Sequence, residues 1–153
     1  LVGSEMCIRD RKKTKLNEKD YDKALEIWER SVIETHDFLK DEDRIALKHE
    51  IPTYFKYVEG YLWWNDIEVI GFSGTKDQNL EMLFIDPQYF NNGYGTQIVQ
   101  TLIKEKKIKY VDVNKDNENA IQFYKKNGFI KYDESEQDGQ GRDYPILHLK
   151  LSN

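Results

Sequence analysis

Cysteine is nearly missing from this chain: Cys7 is the only one in 153 residues, which excludes an internal disulfide and suits a reducing compartment. No apolar run approaches the roughly 20 residues that a membrane span needs. No secretory signal pattern is seen either, so a cytoplasmic protein without a membrane partner is expected. Positive charge is not in excess: Lys and Arg number 23 against 28 Asp and Glu, and the formal net charge of -5 argues against a nucleic acid held on a broad basic surface. The three histidines, His36, His49 and His148, do not stand at metal-ligand spacing and have no cysteine partners, which argues against a zinc site. Internal repeats, low-complexity tracts and linkers are missing as well. What remains is one domain, large enough for a real core, with the apolar and charged fractions of a soluble globular protein.

The chain is organised around one stretch, Leu83-Phe84-Ile85-Asp86-Pro87-Gln88-Tyr89-Phe90-Asn91-Asn92-Gly93-Tyr94-Gly95-Thr96, followed by Ile98, Val99, Leu102 and Ile103 at helical spacing. It reads as a buried strand, a short glycine-bearing loop and a helix. Pro87 has no amide for a sheet ladder and disfavours a helical Asp86, so the strand should stop there. Gly93 and Gly95 let the backbone come close to a ligand. Loop amides entering a helix, added to the positive end of the helix dipole, make an anion site suited to a phosphate. This cradle has no lysine. Ile98 stands where a dinucleotide-binding loop has its third glycine, and no Gly-Lys-Ser/Thr follows as in a P-loop.

A second pattern lies downstream, Asn117-x-x-Ala120-x-x-Phe123-Tyr124-x-x-x-Gly128-Phe129. Positions 117, 120 and 124 fall on one helical face, and Asn127-Gly128 is a good helix stop. In their order and separation, the two patterns resemble motifs A and B of the GNAT superfamily of N-acetyltransferases. Phe90 departs from the Arg or Gln usual in that family's loop, which removes a side-chain contact and leaves the backbone cradle. The resemblance covers roughly residues 20–150, and Thr35-His36-Asp37-Phe38 with Tyr144-Pro145 looks closest to the YjaB-type bacterial branch.

The resemblance implies an α/β (α+β) fold with a mixed, mostly antiparallel central sheet of about seven strands flanked by about four helices. It implies acetyl-CoA as the acyl donor, no metal, and an amine acceptor, either a small molecule or a protein, on a monomer or homodimer; the alternatives are a non-catalytic acyl-CoA-binding or regulatory module of the same fold and an acyltransferase that uses a longer acyl-CoA. Leu83, Phe84, Ile85, Asn91, Asn92, Gly93, Tyr94, Gly95, Thr96, Asn117, Ala120 and Tyr124 become the expected cofactor-binding residues. Tyr124, Glu81 and Asp112 become the expected catalytic ones. GNAT domains also open with a short strand. Residues 1–11 resemble translated sequencing-adapter read-through, so a non-native extension is expected there, with the first strand truncated or replaced and a single domain over 12–153. Cys7 then carries no functional weight.

Elsewhere the pattern is legible in order. Asn17 can cap a helix carrying Tyr21, Ala24, Leu25, Trp28 and Val32 at helical spacing. A second helix is expected from near Asp41, with Ile45 and Ala46 inward and an end or kink around Pro52. In GNAT proteins these helices and their joining loop wall the acceptor pocket. Strands are expected at 61–64 and 67–72 around a turn at Asn65-Asp66, then at 80–85, 108–113 and 129–132, with a return over 144–151. Trp63 and Trp64 point to opposite faces of their strand.

Acyl transfer to an amine expels a CoA thiolate, so a donor beside the sulfur stabilises charge that develops only in the transition state. Within motif B, Tyr124 takes that role; outside it, a packing tyrosine would be the simpler reading. Full proton transfer from a phenol near ~10 to a thiolate near ~8.5 is uphill by roughly 2 kcal/mol, which favours hydrogen-bond donation with protonation at the end. The family places the oxyanion on a backbone amide around Phe84 or Ile85. Simple alternation puts Glu81 on the face of Leu83 and Ile85, and Asp112 lies on the neighbouring strand. Each of these carboxylates reads equally as a solvated strand residue, and a water chain is a third route for the proton. His36 with Asp37 reads as a capped loop or as an orienter of the acceptor.

Overall fold

The computed structural model describes residues 12–152. The first eleven residues, with Cys7, and Asn153 lie outside the described residues, so the expected extension and its boundary do too. A short first strand of three residues is present among the described residues. β1 (Lys13–Lys15) pairs antiparallel with β2 (Glu59–Trp64), with Lys13 opposite Trp63.

The remaining strands are β3 (Val69–Lys76), β4 (Asn79–Ile85), β5 (Tyr110–Asn114), β6 (Phe129–Ser135) and β7 (Ile146–Leu151). They form one seven-stranded sheet in the order β1-β2-β3-β4-β5-β7-β6. Every neighbouring pair is antiparallel except β4 with β5. The helices are α1 (Tyr21–Thr35), α2 (Asp41–Phe55), α3 (Tyr94–Lys106) and α4 (Glu118–Lys126). This is the expected mixed, mostly antiparallel sheet flanked by four helices. Among the described residues no helix is long and apolar enough to cross a membrane.

Each sheet face has its own core. Leu62 and Phe72 meet Ala24, Ile27, Trp28 and Val32 of α1 and Ile51 and Phe55 of α2 on one face. Trp63, Ile70, Leu80, Val111, Val113, Leu147 and Leu149 meet Ile98, Val99 and Leu102 of α3 and Ile121 and Tyr124 of α4 on the other. Each fully buried aliphatic side chain contributes roughly 2 kcal/mol by leaving water. Trp63 and Trp64 do point to opposite faces, and the Trp63 indole donates to Ser73 Oγ at 2.8 Å, so its buried N–H is satisfied.

α2 differs from its sequence pattern in the side that it turns inward. Ile45 is exposed, and the inward stripe is Ile51 and Phe55, both buried, with Leu47 partly buried one turn earlier, at a repeat of four residues. Pro52 does not end the helix, which runs on to Phe55. The ring removes one backbone bond, but burial of Ile51 and Phe55 on either side of it holds the last turn.

The parallel pairing of β4 and β5 is confined to Asn79 with Tyr110 and Leu80 with Val111. Beyond Leu80 the two strands part. Asp86 N–H donates to the Ile70 carbonyl on β3 at 2.8 Å, and backbone groups alternate between the two edges of a strand. Phe84 therefore turns its amide toward β3, and the amides of Leu83 and Ile85 face the gap.

Candidate active site

A cavity of about 620 Å³ opens at this gap. Leu83, Phe84 and Ile85 of β4 line one side; Asn91, Gly93, Tyr94, Gly95 and Thr96 line a second; Asn117, Ala120 and Tyr124 of α4 line a third. Eleven of the twelve expected cofactor-binding residues thus meet in one place. The exception is Asn92, whose side-chain amide donates to the Tyr89 carbonyl at 3.2 Å and the Phe90 carbonyl at 3.0 Å and so closes the loop from within.

Each wall has a local cause. Asp86 ends β4 and caps a 3-10 turn at Pro87–Tyr89 by accepting from the Gln88 amide. Its buried carboxylate is also ion-paired to Arg30 of α1, which ties the loop to that helix. Gly93 begins α3 in the left-handed region, at φ 78°, where an L side chain is strained. A Cβ there would meet nothing within 4 Å, so the surface above it is open to a ligand. The first turn of α3 faces the cavity with its amides, which have no earlier turn to donate to. Gly95 serves a different purpose: a Cβ there would come within 3.1 Å of the Phe123 ring, so its absence lets α3 and α4 approach.

Tyr124 is almost fully buried, with its ring edge-on to Phe123 and Phe129 at centroid distances of 5.0 and 5.7 Å. Burial alone pushes its phenol well above the ordinary tyrosine value. Proton transfer from it to a thiolate is then further uphill than for a phenol in water, which makes it a hydrogen-bond donor first.

The two expected carboxylates are not part of this cavity. The register between β3 and β4 slips at Gly74 and Thr75, which face Met82 and Leu80, so Glu81 is the extra residue of a bulge. Leu80, Leu83 and Ile85 belong to the α3–α4 face and Met82 and Phe84 to the other, which shows the alternation broken at that point. Glu81 lies instead beside Asp112, which is displayed on the side of β5 opposite Val111 and Val113. Partial desolvation, then the Asp112 charge, raise the Glu81 pKa above the ordinary glutamate value. Asp112 accepts from His148 Nδ1 at 2.6 Å, and His148 Nε2 is 2.7 Å from Ser135 Oγ.

Other residues enter the cavity that the motifs did not name: Ser31, Thr35 and His36 from the end of α1, Tyr89 from the loop, and Asn119, Gln122 and Lys126 from α4. The Thr-His-Asp-Phe segment was visible as a polar interruption between two helices. Nothing in its own sequence says that its histidine meets Asn117, 81 positions away.

Comparison with known proteins agrees with this geometry. Residues 58–131 match a family model described as an acetyltransferase (GNAT) domain. The peptidyl-lysine N-acetyltransferase YjaB of Salmonella typhimurium is 34% identical over 131 residues, covering 84% of this chain and 89% of that protein. The solution structure of apo YjaB from Escherichia coli superposes with a TM-score of 0.85 at 31% identity, over 93% of this chain and 97% of that one. At the level of fold alone, the PaiA N-acetyltransferase of Thermoplasma acidophilum in complex with coenzyme A has a TM-score of 0.65 at 20% identity, over 92% of this chain and 98% of that one.

Proposed function

The chain belongs to the GNAT acetyltransferase family, and from that premise we propose that it moves the acetyl group of acetyl-CoA to the side-chain amine of a lysine in a protein, by direct attack in a ternary complex. One observation carries the reading: the open start of α3 at Gly93, the gap-facing backbone of β4 and the Tyr124 side chain converge on one cavity. Its walls fit an acyl-CoA. The α3 amides suit a pyrophosphate, and the β4 edge offers backbone partners to an amide-bearing arm. Bound there, acetyl-CoA supplies an activated acyl group whose sulfur is the leaving atom.

The chain's own residues then act on the charges of the reaction. The Ile85 amide, turned into the gap, is placed to donate to the oxyanion; Phe84, the other residue considered, turns its amide to β3. Tyr124 donates a hydrogen bond to the leaving sulfur as the thiolate forms. The named activity of the YjaB relatives supports lysine as the acceptor. That choice has a cost, because neutralising a lysine amine near ~10.4 at pH 7 requires about 4.6 kcal/mol, against about 1.4 for an α-amine near ~8.

The test uses acetyl-CoA with an N-terminally blocked peptide holding one lysine, and the same peptide with that lysine blocked. CoA release with a single added acetyl group on the first and none on the second is expected. Transfer that requires a free α-amine, whatever the state of the lysine, would overturn the assignment.

A further inference from the structure

We propose that His36 is the general base of the transfer, accepting the proton of the attacking amine on Nε2. The inference rests on the acetyltransferase reading above and concerns the proton, which neither carboxylate is placed in the cavity to take. Its basis is a chain of hydrogen bonds whose directions leave one solution. The Thr35 hydroxyl has one hydrogen and gives it to the Ser31 carbonyl at 2.8 Å, because a carbonyl can only accept. The same oxygen lies 2.7 Å from His36 Nδ1, so it accepts from an Nδ1–H. A neutral imidazole carries one N–H, which leaves the lone pair on Nε2. Asn117 agrees from the other side. Its Oδ1 accepts from the Ala120 amide at 3.2 Å, so its Nδ2, a donor, faces His36 Nε2 at the long distance of 3.5 Å. The loosely held lone pair belongs to a residue that lines the cavity together with Tyr124.

The surroundings keep that ring neutral near pH 7. Burial lowers the His36 pKa below the ordinary imidazole value, with Asp37 opposing. Phe38 stacks tilted on the ring at 5.1 Å and separates it from Tyr144, which donates to Asp43. Tyr124 and Lys126 face the same space from α4. In the reaction the lone pair of the neutral amine forms the bond to the acyl carbon, and the nitrogen's proton passes to Nε2. The C–S bond then breaks, its electron pair stays on sulfur beside the Tyr124 hydroxyl, and the thiolate takes a proton from water. The imidazolium returns its own to water.

The experiment compares wild type with His36→Asn, whose side-chain amide sits where Nδ1 does and can still donate to Thr35, and with His36→Gln as a second variant. For the single-lysine peptide, kcat should fall by about 10²-fold or more, the range for loss of a general base. Acetyl-CoA affinity by calorimetry should stay within about twofold. Wild-type kcat should decline as pH falls through the lowered His36 pKa, and that acid limb should disappear in both variants. Added imidazole should restore rate to His36→Gly. A kcat within about threefold of wild type, or an acid limb that survives, overturns the proposal. So does a loss equal at every pH with no response to imidazole, which makes His36 a wall of the pocket. Failure of the underlying acetyltransferase reading would show differently, as an inactive wild type.

Discussion

At the gap between β4 and β5, Tyr124 and His36 stand largely buried along a cavity with a backbone edge turned toward it. Elsewhere on the same sheet and outside that cavity, Asp112, His148 and Ser135 form a hydrogen-bonded series with contacts of 2.6 and 2.7 Å, yet the Asp112 side chain is 63% exposed. The open series has the residue types that chemistry favours and lacks walls; the cavity has few ionisable groups and a place for a substrate. The contrast teaches that burial of the side chain decides here. Desolvation moves the pKa values of Tyr124 and His36 in the directions that keep both neutral, which suits a donor and a base. In the open, water screens the carboxylates and competes for each bond.

Four measurements would break or sharpen that comparison. The largest effect is expected at Tyr124. Tyr124→Phe keeps the ring and its packing and should lower kcat by about 10²- to 10³-fold, the range for one transition-state donor, with acetyl-CoA affinity nearly unchanged. A rate within about twofold of wild type would return the residue to packing and weaken the case for the cavity.

Next comes the clamp that holds the cavity wall. Asp86 is buried, bonded to Arg30 and to the Gln88 amide, so Asp86→Ala leaves a partner in each element unsatisfied. Arg30 is 41% exposed and can turn to water, so the loss should be about 2 kcal/mol of unfolding free energy rather than the larger figure for a fully buried pair. Urea unfolding measures it. No change in midpoint would mean that the loop and α1 are held by packing alone.

Gly93→Val should weaken acetyl-CoA by about tenfold or more, through strain at a positive φ and a side chain in the ligand's path. Unchanged affinity by calorimetry in a folded variant would remove the phosphate site from the start of α3. The smallest effects belong to the open face. Glu81→Gln and Asp112→Asn should each leave kcat within about twofold at neutral pH. A large loss at neutral pH that recovers at high pH in either variant would show that a carboxylate outside the cavity reaches the amine through water, and would erase the distinction between the two regions.

The sequence by itself determined the features that obey local rules. Pro87 stops a strand because it lacks an amide, Gly93 starts a helix in a conformation other residues resist, and Asn127 with Gly128 ends one. Residues 117, 120 and 124 share a helical face by spacing, so most of the cavity walls were legible in the sequence. The tertiary structure alone decided where the ionisable side chains look. One bulge opposite Gly74 and Thr75 puts Glu81 on the face of Asp112, because strand alternation is a parity that a single extra residue reverses. The inward stripe of α2 was set by which side met Phe72 and α1, not by its own weak periodicity. The tautomer of His36 depends on a hydroxyl one residue away and an amide 81 residues away, and only the parting of β4 and β5 brings that amide, the imidazole and Tyr124 around one space.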